Sequence, residues 1–148
     1  MDIAGRVVVE DSVIWDLCSG TGALGLEALS WGASFCMFVD SNPRCTRRTS
    51  AFLAERDADG TAEIITADVT RYITRETRGG KPGLVFIDPP YAARRIYDWI
   101  ESFDWENVLA PEGMIFVEYG TEPPGADGWK IRRYGDTYLK YMKKDRIR

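Results

Sequence analysis

The sequence predicts an α/β fold: a doubly wound, mostly parallel sheet that ends in a C-terminal antiparallel hairpin. Three observations carry this expectation. Short apolar runs alternate with longer amphipathic segments over the first 120 residues, the βαβ rhythm of a parallel sheet. The first run leads into DLCSGTGALG, residues 16–25, where Gly20, Gly22 and Gly25 fit G-x-G-x-x-G. Near the C-terminus the rhythm changes to two strand-like runs around Gly135-Asp136, a hairpin-turn dipeptide.

Taken in order, Val13–Leu17 reads as the first strand, and the glycine turn leads to a helix over about Ala23–Trp31. Phe35–Asp40 reads as the second strand. Asn42-Pro43 opens a helix running to about Glu55, with proline suited to its first turn. Asp59-Gly60 marks a turn, Glu63–Asp68 a third strand and Val69–Thr77 a helix, followed by a loop over Arg78–Gly83. Leu84–Asp88 is a short apolar strand stopped by Pro89-Pro90, so it belongs in the middle of the sheet. Arg94–Phe103 reads as a helix, Met114–Tyr119 as a fifth strand, and Lys130–Tyr134 with Thr137–Lys143 as the hairpin.

Composition bounds the chemistry. The 148 residues include no histidine, which removes Ser-His and Cys-His catalysis and the common zinc sites. Cys18, Cys36 and Cys45 form no CxxC pair, so neither a disulfide framework nor a metal is expected. No run reaches the ~18 apolar residues of a membrane span, and the start lacks the pattern of a signal peptide. The expectation is a single cytoplasmic, monomeric domain over residues 1–148 with no membrane partner. Net charge is −4, unevenly spread: residues 129–148 hold four Lys and four Arg against two Asp, leaving the other 128 at −10. That basic ribbon suits phosphates or an edge hairpin whose lysines block aggregation; the second reading is preferred.

In an open α/β sheet the ligand lies at the carboxyl ends of the strands. The tips carry Asp16, Asp40, Asp68 and Asp88, an acid at each of four strands. Helix capping explains any one of them but is a weak account of all four. Asp40, twenty residues after Gly20, can grip ribose hydroxyls of NAD or of S-adenosylmethionine alike. Asp68 can accept a hydrogen bond from an adenine amino group.

IDPPY, residues 87–91, decides between the two ligands. An exocyclic amine conjugated to a ring must pyramidalise to attack a methyl group, and acceptors at its N–H bonds favour that geometry. The Asp88 side chain and the Pro89 carbonyl are two such acceptors; the prolines fix the backbone, and Tyr91 offers a ring for stacking. The reading is S-adenosylmethionine, with methyl transfer to nitrogen. Carbon methylation of cytosine uses a Pro-Cys nucleophile, and no cysteine here follows a proline. Arg94 and Arg95 are equally readable as phosphate contacts or solvated arginines. Arg44, Arg47 and Arg48 read as a solvated face, Trp15, Trp99, Ile100 and Phe103 as packing residues, and Glu118 as a strand-end polar contact.

DLCSGTGALGLEALSWGAS, FVDSNP, LVFIDPPY, LAPEGMIFVEY and RRYGDTYLKY together resemble the RsmD-type methyltransferases, in the same order and over nearly the whole chain. The resemblance implies a Rossmann-like class I methyltransferase fold and methyl transfer to the exocyclic N2 of a guanine in small-subunit ribosomal RNA or a partly assembled subunit. It implies cofactor roles for Asp16, Ser19, Gly20, Gly22, Asp40 and Asp68, with Cys18, Thr21, Ser41, Asn42 and Val69 beside them, and substrate roles for Asp88, Pro89, Pro90 and Tyr91. Two departures stand out. Cys18-Ser19 replaces the aromatic-alanine pair more frequent in the family. Family members also carry an N-terminal extension with a β-hairpin and a basic segment, which this chain is expected to lack. Alternatives are adenine N6 in DNA, a glutamine amide in protein, or a cofactor-binding module without activity.

Overall fold

The computed structural model describes residues 9–73 and 80–145. Its sheet has seven strands: β1 (Val13–Leu17), β2 (Phe35–Asp40), β3 (Ala62–Thr66), β4 (Leu84–Ile87), β5 (Met114–Tyr119), β6 (Trp129–Tyr134) and β7 (Thr137–Lys143). They lie in the order β3-β2-β1-β4-β5-β7-β6. The first five are mutually parallel, and β7 joins β5 antiparallel with β6 as the outer edge. The helices are α1 (Ala23–Ser30), α2 (Pro43–Glu55), α3 (Val69–Tyr72), α4 (Arg94–Ser102) and α5 (Trp105–Val108). From β1 the chain winds outward to β3, then crosses back to β4 on the other side of β1. The switch point therefore lies between β1 and β4.

The central strands are apolar on both faces because both are covered. On one face Trp15, Leu17, Val39, Val85, Ile87 and Val117 pack with Val69, Ile100 and Trp105 of α3, α4 and α5. On the other Ile14, Cys36, Phe38, Leu84 and Phe116 pack with Ala28 of α1 and Leu53 of α2. Pairing register puts Asp16 opposite Phe38 on one side and Phe86 on the other. A carboxylate thus stands on the α1 face of the middle strand, flanked by two aromatic residues. Tyr138 and Tyr141 fall in different clusters, so the hairpin points them to opposite faces.

Several boundaries differ from the sequence expectation. The first helix stops at Ser30, with Trp31 as its C-cap. The third strand spans Ala62–Thr66, and Asp68 lies outside it as the N-cap of α3, its Oδ1 accepting from Thr70 N–H. That helix is a single turn, Val69–Tyr72; the rest of the expected helix and the first residues of the following loop fall at 74–79, outside the described residues. Asp88 follows β4, α4 ends at Ser102, the hairpin's first strand starts at Trp129, and Asp59–Thr61 forms a 3-10 turn. Helix α5 was not expected. Its signal is Asp104, whose side chain accepts from Asn107 N–H at 3.3 Å.

The basic ribbon is partly structural. Lys130, Arg132, Arg133 and Lys143 are exposed, whereas Lys140 and Lys144 are buried. Lys144 donates to the Leu109 carbonyl at 2.9 Å. Lys140 forms an ion pair with Glu101 of α4 at 2.7 Å, and Tyr119 also donates to Glu101. This ties the antiparallel extension to the helix after β4.

Two outcomes follow for stability. A Cβ at Gly25 would sit 2.4 Å from the Phe38 ring and 2.7 Å from Cys36 Sγ, so Gly25→Ala overpacks the α1–β2 contact. Urea unfolding is expected to show a loss of about 1–3 kcal/mol. Glu101→Ala leaves the Lys140 ammonium buried without its partner, a loss on the order of 2 kcal/mol. Lys140→Met, which keeps the volume and leaves the half-exposed carboxylate to solvent, costs less by the same measurement.

Candidate active site

The glycine turn is built by alternating backbone hand. Cys18, Gly20 and Gly22 have φ of 56°, 54° and 77°, with Ser19 and Thr21 between them. Such values favour glycine, and at Cys18 they are a strained choice for a branched-free side chain. Ser19 N–H donates to the Val39 carbonyl at 3.0 Å, and Gly22 N–H to the Ser19 carbonyl at 2.8 Å, so the turn is tied to the end of β2 and to itself. A Cβ on Gly20 would meet nothing within 4 Å: the backbone there faces open space.

Two carboxylates hold this loop from below and beside. Asp16 Oδ2 accepts from Gly25 N–H at 3.0 Å, satisfying a free donor in the first turn of α1. Asp40 uses both oxygens: Oδ2 accepts from Gly20 N–H at 2.8 Å and Oδ1 from Asn42 N–H at 2.9 Å. Asn42 then caps α2 through Arg44 N–H at 2.9 Å. Each Asp40 oxygen keeps a second lone-pair site for a ligand hydroxyl. Asp68 Oδ1 accepts from Thr70 N–H and Oγ1, and its Oδ2 pairs with Arg95 at 2.7 Å. Arg95 also donates to Thr70 Oγ1 at 2.8 Å. The arginine read equally as phosphate contact or solvated group is therefore a brace between α4 and the start of α3.

Two adjoining clefts open along these tips. One, about 170 Å³, is lined by Cys18, Asp40, Ser41, Asp68, Val69, Pro90 and other residues including Arg95. The second, about 420 Å³, is lined by Cys18, Gly20, Asp40, Asp88, Pro89, Pro90, Tyr91 and Glu118. They meet at Cys18, Asp40 and Pro90, across the switch point between β1 and β4. Cys18, Gly20, Asp40, Ser41, Asp68, Val69 and the whole of Asp88-Pro89-Pro90-Tyr91 thus come together. Asp16, Ser19, Thr21, Gly22 and Asn42 line neither cleft. Asp16 is 3% exposed and turned under α1, while Thr21 is exposed and accepts from Ala23 N–H at 3.3 Å. These five residues shape the loop.

Sequence reasoning undervalued Glu118 and Tyr97. Tyr91 donates to Glu118 Oε1 at 3.0 Å. Tyr97, on α4, donates to the Glu118 carbonyl at 2.7 Å, with its hydroxyl 3.5 Å from the Pro89 carbonyl. No sequence motif announces these pairings, which join β5 to residues 27 and 21 positions away.

The electrostatics are those of crowded, partly desolvated carboxylates. Burial, opposed by the Gly25 hydrogen bond and reinforced by Asp88 and Asp40, raises Asp16 to about 7. Asp88 is raised by desolvation and then by Glu118. Burial and the surrounding aspartates push the Cys18 thiol up to about 12, so it is a neutral thiol and not a nucleophile. The Thr70 hydroxyl, with Arg95, holds Asp68 below the ordinary carboxylate value.

Asp16 has a testable pH signature. Below pH 3.8 the carboxyl is protonated whether the chain is folded or not; as pH rises to about 7 the unfolded chain ionises first. The native state then holds the extra proton, so this group's stabilisation is lost as pH rises. Asp16→Asn keeps an acceptor for Gly25 N–H and removes the titration. Urea unfolding at pH 4.5, 6 and 8 is expected to show the variant gaining on the wild type with pH, by on the order of 4 kcal/mol at most.

The comparisons agree with this architecture. Residues 2–143 match the family model described as conserved hypothetical protein 95. Ribosomal RNA small subunit methyltransferase D of Escherichia coli (strain K12) is 28% identical over 129 residues, covering 85% of this chain and 64% of that protein. The chain thus spans less than two thirds of that curated relative. The solved structure of an Escherichia coli protein designated a methyltransferase matches with TM-score 0.73 at 26% identity, over 94% of this chain and 78% of the other. An RNA methyltransferase from Salinibacter ruber, in complex with S-adenosyl-L-homocysteine, shares the fold with TM-score 0.65 at 13% identity, over 93% and 84%. The fold is that of a Rossmann-like class I methyltransferase, and the chain belongs to the conserved hypothetical protein 95 family, the family of the RsmD-type methyltransferases.

Proposed function

We propose that this chain transfers a methyl group from S-adenosylmethionine to the exocyclic N2 amine of a guanine in small-subunit ribosomal RNA. The observation that carries the reading is the placement of Asp88 and Pro89 in one cleft with Gly20 and Asp40. That arrangement sets amine acceptors beside an adenosine-type site. The relative named as a ribosomal RNA small subunit methyltransferase supports the RNA substrate. The neighbour holding S-adenosyl-L-homocysteine supports the cofactor.

The residues fit the cofactor. Gly20 presents bare backbone to the cleft, Asp40 is oriented by two N–H groups to accept a pair of ribose hydroxyls, and Ser41, Asp68 and Val69 line the narrower cleft suited to adenine. Asp68 Oδ2 exchanges its Arg95 partner for an adenine amino group, or shares it. When bound, the cofactor supplies an electrophilic methyl group on sulfur.

The chain's own contribution is positioning. The Asp88 carboxylate and the Pro89 carbonyl accept the two amine hydrogens, which turns the nitrogen lone pair out of conjugation and along the transfer axis. As the nitrogen becomes cationic, the neighbouring carboxylates stabilise it electrostatically, and its proton then passes through the Asp88 carboxylate to solvent. Tyr91, 56% exposed and lying against Gly120, presents a ring for stacking on the base. Reaching such an amine requires an unstacked base, since duplex RNA hides its edges.

Calorimetric titration is expected to show binding of S-adenosylmethionine and none of NAD. Asp88→Ala is expected to keep that binding and lose ~10²-fold or more in kcat. A variant with unchanged turnover on small-subunit particles would overturn the assignment of Asp88. Because Asp88 must be ionised to accept, and its pKa is raised above 3.8, the acid limb of the kcat/KM profile is expected above the ordinary aspartate value.

A further inference from the structure

Glu118 belongs to the same cleft as Asp88, Pro89 and Tyr91, yet the amine-positioning chemistry does not use it. Its placement is well determined. The Tyr97 hydroxyl holds its carbonyl at 2.7 Å and stands 3.5 Å from the Pro89 carbonyl, so one side chain sets the backbone of β5 against that of the DPPY segment. The Tyr91 hydroxyl orients the carboxylate through Oε1 at 3.0 Å. Tyr91 itself lies against Gly120, where a Cβ would approach its ring at 2.6 Å. No hydrogen bond to Oε2 is formed among the described residues. An oriented carboxylate with one free oxygen, next to a carboxylate that it pushes toward protonation, is a costly arrangement. A ligand with donors for both would relieve it.

The atoms beside each candidate amine differ. In guanine, N2 is adjacent to N1–H, a donor. In adenine, N6 is adjacent to N1, an acceptor. In cytosine, N4 is adjacent to N3, an acceptor, and in a glutamine amide the neighbour is the carbonyl oxygen. A second carboxylate beside Asp88, on the side that guanine's N1–H takes and away from its N3 acceptor, therefore attracts guanine, and the other three offer it no donor there.

We infer that Glu118 is the specificity-determining residue of the site, accepting N1–H of the target guanine while Asp88 and Pro89 accept the hydrogens of N2. The inference rests on the guanine-N2 reading above and accounts for its selectivity over adenine N6 and glutamine. The contact is a hydrogen bond, with no proton transferred to Glu118. Tyr91 has two tasks, stacking and orienting, and Tyr97 is a positioning residue for Glu118.

The test inverts one ring position. In 2-aminopurine the 2-amino group remains, but N1 is an unprotonated acceptor. Small-subunit particles are reconstituted around RNA carrying guanine or, by ligation, 2-aminopurine at the nucleotide the wild-type chain methylates. The wild type is expected to prefer guanine by ~10²-fold in kcat/KM, the scale of a paired base-edge contact with its mismatch penalty. Glu118→Gln, whose amide can donate to N1, is expected to reduce that preference at least tenfold. Glu118→Ala is expected to lower guanine turnover and narrow the ratio as well. Titration with S-adenosylmethionine and urea unfolding identify a variant that has misfolded, and the other variant then decides. A wild type that methylates guanine, with both folded variants keeping its guanine to 2-aminopurine ratio, overturns the role of Glu118. A wild type that transfers no methyl group to any guanine N2 overturns the functional reading itself, and this inference with it.

Discussion

The hydrogen bond from Gly25 N–H to Asp16 determines where α1 starts relative to β1, and the cleft depends on that start. Asp16 sits between Phe38 and Phe86 in the middle of the sheet, where a carboxyl group is stable only with a donor. The first turn of α1 has free N–H groups to offer, provided that the helix comes close enough. It comes close because Gly25 has no side chain to meet Phe38. With both ends of the turn held, residues 18–22 bow outward, and Gly20 is left with open space above it.

The remaining interactions at the strand tips extend this scaffold outward. Asp40 repeats the device at the next strand, holding Gly20 on one side and Asn42, the cap of α2, on the other. Asp68 repeats it once more as the cap of α3, with Arg95 bringing in the start of α4. Because α4 follows the DPPY segment directly, Asp68 at the third strand's tip and the DPPY segment are joined through one ion pair. Carboxylates gathered at one edge repel each other. Here Asp16, Asp40 and Asp68 are given backbone donors, and Asp68 an arginine as well, while Asp88 stands without such a partner and is raised by desolvation and by Glu118.

On the far side of the switch point the last parallel strand and the antiparallel hairpin complete the site's wall and its support. Strand β5 brings Glu118 beside Asp88, and Tyr97 and Tyr91 fix its backbone and side chain. The hairpin β6–β7 is tied down by Lys140 to Glu101 and by Lys144 to Leu109. Two lysines that contribute to the basic C-terminal charge are thereby withdrawn from solvent, and exposed cations remain on the outer edge strand. That distribution fits an edge protected against strand pairing while leaving Lys130, Arg132 and Arg133 available to a polyanion.

Sequence alone determined what local patterning controls. Apolar runs with alternating amphipathic segments specified five parallel strands and, α5 apart, the helices between them, and Gly135-Asp136 the hairpin, because periodicity and turn chemistry act over a few residues. The glycine turn, the strand-two acid and DPPY could be picked out as contiguous segments, and the structure gathers Gly20, Asp40 and residues 88–91 around one cleft. Tertiary structure decided where those residues stand relative to the cleft. Asp16 looks like a ligand acid in the sequence and proves to be a buried support, because register places it between two phenylalanines. Asp68 is both a cap and a partner of Arg95, a pairing 27 residues apart that no spacing rule encodes. Glu118 reads as an ordinary strand-end polar residue until β5 is laid beside β4. Its position next to Asp88 depends on strand order and long-range packing, which no local stretch of sequence contains.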